Sequence, residues 1–284
     1  MDRRHALIAA LSVVALGGGS IAGCDRRRPP VAGKPSADRP SLLYPSLLYP
    51  SAAADLFQPG TRHRLETGKT AIAEVLPAGS LRLPTGRLVA VDPSWSSGGW
   101  RPPGIGPFTV TVPPGTYPLE LALLRWEDLR VAAARLTIAD KPVTAWEMAV
   151  RDGQNPATLR PGYFFGVGVD VATIAVFDAV VLDAVGRIQD ADPTAFDVLH
   201  ADRPVTRADV LPGVNAIAFN TGWGDGSYPV WIGRTHDGGV GCFILDMLML
   251  APPTAPTATP WSPPRGAVRR QGLGSLPVRL CPRQ

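Results

Sequence analysis

The surest structural signal in the sequence is a hairpin turn near residue 237. The four residues His236-Asp237-Gly238-Gly239 separate two apolar runs, Tyr228–Arg234 and Val240–Leu250. An Asp-Gly pair between apolar runs is the strongest short-range mark of a β-hairpin, because glycine accepts the positive φ that tight turns require. The chain is therefore expected to contain an antiparallel sheet.

Further strands are predicted earlier in the chain from alternation and turn residues. Phe108–Val112 alternates apolar and polar residues, and Tyr117–Arg125 resumes the pattern after a Pro-Pro-Gly-Thr turn. Leu129–Ile138 is the next long run, and it ends at an Asp-Lys-Pro turn. Because Val143–Val150 follows that turn, we expect it to be the antiparallel partner of Leu129–Ile138.

One segment has the apolar spacing of a helix rather than a strand. Apolar residues recur there every three or four positions, at Phe177, Val180, Val181, Ala184, Val185 and Ile188. Asp192-Pro193 is expected to end this helix, since the residue before a proline disfavours helical geometry. A second, shorter helix is predicted over Thr194–His200. We therefore predict an α+β, β-rich fold for residues 61–251: a single antiparallel sheet or sandwich domain with one or two helices.

The N-terminus resembles a bacterial export signal. Arg3 and Arg4 precede an uncharged stretch from Ala6 to Ala22, and Ile21-Ala22-Gly23-Cys24 resembles a lipobox. That resemblance implies a signal peptide over residues 1–23 and lipid attachment at Cys24. An uncleaved membrane anchor is the alternative, since the run is close to the shortest length that spans a bilayer. Both readings place the domain on the extracytoplasmic side of the cell membrane.

Proline-rich segments flank the predicted domain. Residues 24–60 contain a tandem Ser-Leu-Leu-Tyr-Pro repeat and are expected to form a tether, and residues 252–284 are expected to be a disordered Pro/Arg-rich tail. The whole chain has a net charge of +4, but residues 61–251 carry −4 because the flanks hold the excess arginine. An acidic domain without a recognisable nucleic-acid-binding motif indicates that nucleic acid is not its partner.

The three cysteines are expected to have different roles. Cys24 is the predicted lipid attachment site, and Cys242 lies in the apolar run Gly241–Leu245, which is typical of a buried cysteine. A disulfide between Cys242 and Cys281 is the alternative in an oxidising compartment. No Cys/His spacing predicts a metal site, and no motif indicates a cofactor.

The segment Asn220–Pro229 is the strongest candidate for a functional loop. Its glycines at alternate positions flank Trp223, an aromatic surface, and Asp225, a source of acceptor oxygens. Such a loop lets a ligand approach the backbone closely, although glycine-rich loops with an aspartate also close ordinary turns. The candidate ligand-binding residues are Trp223, Asp225, Tyr228, Asp170, Asp178 and Asp246.

This segment also carries a family resemblance. Gly222-Trp223-Gly224-Asp225-Gly226-x-Tyr228-Pro229 resembles the signature of an uncharacterised bacterial family, the domain of unknown function numbered 4241. The resemblance extends from about residue 90 to 250 through Val91-Asp92-Pro93, Pro113-Pro114-Gly115-x-Tyr117-Pro118, Arg130-Val131-Ala132-Ala133, Trp146-Glu147-x-Ala149, Gly166–Asp170, Asp178 and Asp237-Gly238-Gly239 leading to Asp246. It implies no activity, substrate or cofactor.

Two functional hypotheses follow from these residues. The first is a membrane-anchored binding or interaction module whose ligand is a small molecule, a glycan or a protein. The alternative is an envelope hydrolase that uses Asp225 together with Asp170, Asp178 or Asp246. If three of these carboxylates converged, they could also hold Ca²⁺ or Mg²⁺.

Overall fold

The computed structural model describes residues 50–94, 105–160, 162–192, 194–200 and 204–251. The predicted signal peptide, most of the predicted tether and the predicted tail lie outside these ranges, as do Cys24 and Cys281. Among the described residues, no helix has both the length and the apolar character needed to cross a membrane.

The described residues are dominated by antiparallel strands. Helix α1 spans Pro50–Asp55 and helix α2 spans Val180–Ala191, and 3-10 turns cover Pro156–Thr158 and Asp197–His200. The twelve strands are β1 (Arg62–Arg64), β2 (Thr70–Leu83), β3 (Leu88–Val91), β4 (Gly115–Arg125), β5 (Leu129–Thr137), β6 (Val143–Met148), β7 (Gly166–Val169), β8 (Thr173–Asp178), β9 (Val205–Leu211), β10 (Val214–Asn220), β11 (Gly226–Thr235) and β12 (Val240–Asp246). The predicted β-rich α+β fold is confirmed.

The larger of two sheets has the strand order β1-β2-β4-β5-β12-β11-β6, and β7 pairs with the N-terminal half of β11. The predicted hairpin is present as β11 and β12, with Val230 opposite Leu245. The predicted pairing of β6 with β5 is wrong, because β6 pairs with β11, where Met148 lies opposite Trp231. Both edges of β5 are already occupied, by β4 and by β12, so β6 has no free edge there.

The predicted strand Phe108–Val112 is also absent. Its backbone N–H groups bond to different segments: Phe108 donates to Leu88 O and Thr109 to Val150 O. Val112 donates to Gly86 O, so the segment spans several neighbours without forming a ladder with any one of them. Alternation of residue type therefore reflects alternate burial here, not membership of a sheet.

The smaller sheet has the order β3-β8-β10-β9, and both of its faces are covered. On β8, Ile174 and Val176 belong to the core shared with the larger sheet. Ala175 and Phe177 point the other way, into a second core that includes Val181 and Leu182 of α2. The predicted helix is therefore confirmed, although it begins at Val180 because Phe177 belongs to β8.

Some residues that precede the predicted domain boundary at residue 61 are buried. Leu56 is fully buried and Phe57 is 7% exposed, and both belong to the main core. The guanidinium of Arg135 lies 4.3 Å from the centre of the Phe57 ring. Part of the segment assigned to the tether from its composition therefore packs against the main core, namely Ala52, Ala53, Ala54, Leu56 and Phe57.

Candidate functional site: the signature loop and its cleft

The signature loop, residues 220–229, connects the two sheets. It leaves the smaller sheet at the end of β10 and enters the larger one at the start of β11. Its geometry is therefore fixed at both ends by strands that belong to different layers. A loop in this position can hold side chains against both sheets at once.

Glycine is required at two positions of the signature loop for different reasons. At Gly222, a Cβ atom would lie 2.3 Å from Met249 Sδ and 2.7 Å from the carbonyl oxygen of Val131. At Gly224, the backbone has a φ of 94°, which disfavours residues with a side chain. The first glycine therefore permits close packing and the second permits the turn.

Hydrogen bonds within the signature loop fix its turn. Gly224 N donates to Thr221 O at 3.0 Å, and Thr221 Oγ1 donates back to Gly224 O at 2.6 Å. The buried Tyr228 side chain donates its hydroxyl to the same Gly224 carbonyl, at 2.7 Å. Tyr228, a candidate ligand-binding residue, thus holds the loop closed and is 4% exposed.

Asp225 joins the signature loop to the turn between β7 and β8. Its Oδ1 accepts a hydrogen bond from Ala172 N at 3.0 Å, and Thr221 N donates to Ala172 O at 2.9 Å. Asp92 holds the same turn from the other side, because its Oδ2 accepts from Asp170 N and Val171 N at 2.5 and 3.0 Å. The structure therefore brings Asp225 and Asp170 to one turn, where the Asp225 carboxylate bonds to the backbone.

The other two candidate aspartates lie in the core. Asp178 is fully buried and accepts hydrogen bonds from Thr85 N, Thr85 Oγ1 and Val180 N at 2.7–2.9 Å. Asp246 is 5% exposed and accepts from Leu248 N at 2.8 Å. Burial raises the pKa of Asp246 to about 6, and hydrogen bonds from Leu248 N and the Trp231 side chain oppose that rise.

Trp223 contacts a cluster of which the sequence analysis named Arg130 alone, as part of the family resemblance and not as a candidate site residue. The Trp126 ring approaches it edge-on, with centroids 6.2 Å apart, and the Arg130 guanidinium lies 5.5 Å from the Trp223 ring centre. Arg130 Nη1 donates to Gly222 O at 2.9 Å, and Nε donates to Asp128 Oδ2 at 2.7 Å. Trp126 and Asp128 lie in the turn between β4 and β5, and Arg130 lies in β5. Besides the family resemblance at Arg130, the signals in the sequence are two close opposite charges and a tryptophan in a short turn.

The pKa shifts around Trp223 have opposite directions in two nearby carboxyl groups. The hydrogen bond from the Arg130 side chain, with a second from Leu129 N, lowers the pKa of Asp128. Burial raises the pKa of Glu66, and the neighbouring Trp223 side chain opposes that rise. Asp128 is therefore ionised at neutral pH and balances the charge of Arg130.

A cleft of about 310 Å³, hereafter the Trp223 cleft, lies beside the signature loop. Its walls include Leu129, Asp128 and Arg130 from the β4–β5 side, and Asn220 and Trp223 from the loop side. Leu129 is 39% exposed. Of the six candidate ligand-binding residues, Trp223 lines this cleft, and the other five do not: Asp170, Asp178, Asp225, Tyr228 and Asp246.

Within the described ranges, no three His, Cys, Asp or Glu side chains are grouped so that they could hold a metal ion. Cys242 is a free, buried thiol among the described residues, and burial raises its pKa. A pairing with Cys281 falls outside the described residues. The chemistry offered by the Trp223 cleft is accordingly that of an aromatic ring, an ion pair and an amide.

Comparison with known proteins gives a family but no activity. Neither the search of curated proteins nor that of solved structures found a match. The family described as protein of unknown function DUF4241 matches residues 81–245, which is more than half of the chain and includes the signature loop, β3 to β11 and most of β12. The chain therefore belongs to the DUF4241 family.

Proposed function

We propose that this protein is a membrane-anchored, extracytoplasmic binding module that presents the Trp223 cleft to a ligand. The observation that carries the proposal is the fixed geometry of the cleft wall. Gly222 O is bonded to Arg130, Gly224 O to Tyr228, and Asp225 to the β7–β8 turn. A wall that is already ordered loses little conformational entropy when a ligand binds.

The burial and the hydrogen bonds of the candidate aspartates favour a binding function over hydrolysis. A general acid or base needs a carboxyl group that can reach a substrate proton. Asp178 and Asp246 are buried in the core, and the Asp225 carboxylate bonds to the backbone of the neighbouring turn. The charged groups that line the Trp223 cleft, Asp128 and Arg130, neutralise each other, which suits recognition.

Membrane anchoring is proposed from the sequence around Cys24. The four residues Ile21–Cys24 resemble a lipobox and follow an uncharged stretch. A diacylglyceryl group on the Cys24 thiol would retain the domain at the membrane by burial of its acyl chains. The basic residues of the flanks would favour the anionic surface of the lipid bilayer.

Anchoring is tested by expressing the full chain and its Cys24→Ala variant in a bacterial host that processes lipoproteins. We expect lipid label and membrane fractionation in the wild type, and loss of the label in Cys24→Ala. If the two proteins fractionate and label identically, the lipid-anchor part of the proposal is wrong.

Ligand binding is tested by thermal-shift screening of the detergent-solubilised full chain against a library of small molecules. We expect at least one compound that raises the melting temperature of wild type but not of Arg130→Ala. Arg125→Ala is the matched control, because Arg125 is also exposed and paired with a carboxylate, Glu74, but does not line the cleft. If a compound still raises the melting temperature of Arg130→Ala but not that of Arg125→Ala, its binding site is not the Trp223 cleft.

A further inference from the structure

The walls of the Trp223 cleft combine apolar surface with fixed polar groups. Leu129 is 39% exposed there, and Trp223 is partly exposed beside the edge of Trp126. Val171, also 39% exposed, directly precedes Ala172, another residue of the cleft wall. A ligand that fits must therefore have an apolar face as well as polar groups.

The charges in the Trp223 cleft indicate that the ligand is uncharged. Among the described residues that line it, Asp128 and Arg130 are the charged ones, and they are paired at 2.7 Å. Their side chains are 48% and 41% exposed, so both remain accessible from solvent. An ionic ligand would have to break this pair to obtain a counter-ion, whereas a neutral polar ligand can hydrogen-bond to it intact.

The polar groups of the Trp223 cleft can serve hydroxyl groups. Asn220 is one of the residues that line the cleft, and its side-chain amide makes no hydrogen bond with the described residues. Arg130 uses Nε and Nη1 for Asp128 and Gly222, which leaves Nη2 as a donor. An amide, a carboxylate and a guanidinium together offer donors and acceptors, and a hydroxyl group can be either.

We propose that the Trp223 cleft binds an uncharged mono- or disaccharide, an inference that rests on the proposed binding function and names its ligand class. A pyranose ring has an apolar C–H face for Leu129 and Trp223, and hydroxyl groups for Asn220 and the Asp128–Arg130 pair. The cleft volume of about 310 Å³ lies at the low end of the usual range for small-ligand sites, which suits a short saccharide.

The test is a calorimetric titration of the detergent-solubilised full chain with three matched sugars: glucose, glucuronate and glucosamine, followed by maltose, cellobiose and N,N′-diacetylchitobiose. We expect saturable binding of at least one neutral sugar. For the matched trio, we expect the neutral member to bind about tenfold more tightly than either charged analogue. Equal or tighter binding of a charged analogue would overturn the inference.

Two cleft variants and one control assign any binding to the Trp223 cleft. Asn220→Ala and Trp223→Phe should each weaken binding of the neutral sugar about tenfold, because each removes a contact surface. Asn155→Ala is the matched control, since Asn155 caps a 3-10 turn and does not line the cleft. Melting curves verify that each variant is folded. Binding that is unchanged in both cleft variants would contradict the proposal.

A parallel thermal-shift screen with amino acids, dipeptides and nucleosides separates failure of the ligand class from failure of the binding function. If none of the six sugars binds but one of these compounds does, and its binding is lost in Asn220→Ala, the carbohydrate class is wrong and the binding function stands. If nothing in either set binds, both proposals fall.

Discussion

The signature loop and the β11–β12 hairpin turn have similar composition but opposite structural roles. Both contain an aspartate that is followed directly by a glycine, and they lie at the two ends of β11. In the hairpin turn, Asp237 accepts from Thr235 Oγ1 and Gly239 N, and a Cβ at Gly238 would meet nothing within 4 Å. In the signature loop, Gly222 packs against Met249 and Val131.

This difference shows that a glycine-rich turn can be held in place either by contacts within the turn or by contacts with distant parts of the chain. The hairpin turn is held mainly by residues within a few positions and by Lys141 at its exposed tip. The signature loop depends on residues from β5, from the β7–β8 turn and from the segment after β12. Substitutions of the same chemical kind should therefore have unequal effects at the two places.

The largest expected effect is that of Gly222→Ala. The new Cβ would overlap the Val131 carbonyl and Met249 Sδ, so the backbone must move, and we expect a loss of about 3 kcal/mol or more in the free energy of unfolding. Gly238→Ala, the matched substitution, has open space and only a φ of 79° to accommodate, and should cost about 1 kcal/mol. Urea denaturation of both variants measures the difference. Equal costs would remove the distinction between the two turns.

The second effect concerns pH, through Asp246 at the end of the hairpin. Leu248 N bonds to Asp246, and Leu248 has a φ of 56°, so this turn directs the chain to Met249 against Gly222. Because burial raises the pKa of Asp246 to about 6, above the ordinary value of about 3.9, folding disfavours its ionised form. The stabilising contribution of the neutral form is complete below about pH 4 and is lost as pH rises through 6.

We therefore expect the wild type to lose about 2 kcal/mol of stability between pH 4 and pH 7 relative to Asp246→Asn, which cannot ionise. Denaturation at a series of pH values measures this difference. If the two pH profiles run parallel, the carboxyl of Asp246 does not titrate in this window.

A smaller effect is expected from Tyr228→Phe. The change removes a hydroxyl that bonds to Gly224 O from a buried side chain, and should cost about 1 kcal/mol. Tyr117→Phe is the matched control, because Tyr117 bonds to the Pro113 carbonyl at 2.5 Å in an exposed position, where water can replace the lost hydroxyl. Chemical denaturation distinguishes the two, and a larger loss in Tyr117→Phe would contradict the account.

The smallest effect is expected from Arg130→Ala. Loss of the bond to Gly222 O should leave global stability within about 1 kcal/mol, since the side chain is exposed, but should speed amide hydrogen exchange in residues 221–225. Exchange at the hairpin turn should stay at the wild-type rate. Faster exchange at both turns would show that Arg130 acts on the whole domain.

The sequence predicts where the strands and the helix lie better than it predicts which strands pair with each other. The hairpin, β4, β5 and α2 follow from local periodicity and turn residues, which act over a few positions. The pairing of β6 with β11 does not, because it depends on β12 occupying the edge of β5. Long-range competition for a strand edge has no local signal.

The candidate site divides in the same way. The signature loop was predictable because its three glycines and its family resemblance lie in one short segment. The role of the Asp128–Arg130 pair was not predictable, since in the sequence the two residues lie in and beside an ordinary turn, and only the fold places Arg130 over Trp223. Asp178 and Asp246 were predicted as ligand-binding residues because the sequence shows only that each is an aspartate. It does not show whether the carboxylate supports a turn inside the core or faces a cleft.

The most direct test of the binding cleft is an NMR titration of the isotope-labelled full chain with N,N′-diacetylchitobiose, cellobiose and maltose. The account predicts that the Trp223 indole N–H and the Asn220 side-chain amide shift with at least one of these sugars, while the backbone amide of Gly238 does not. If none of the three sugars moves the two cleft signals, or if Gly238 moves as far as they do, the Trp223 cleft is not the saccharide site that we propose.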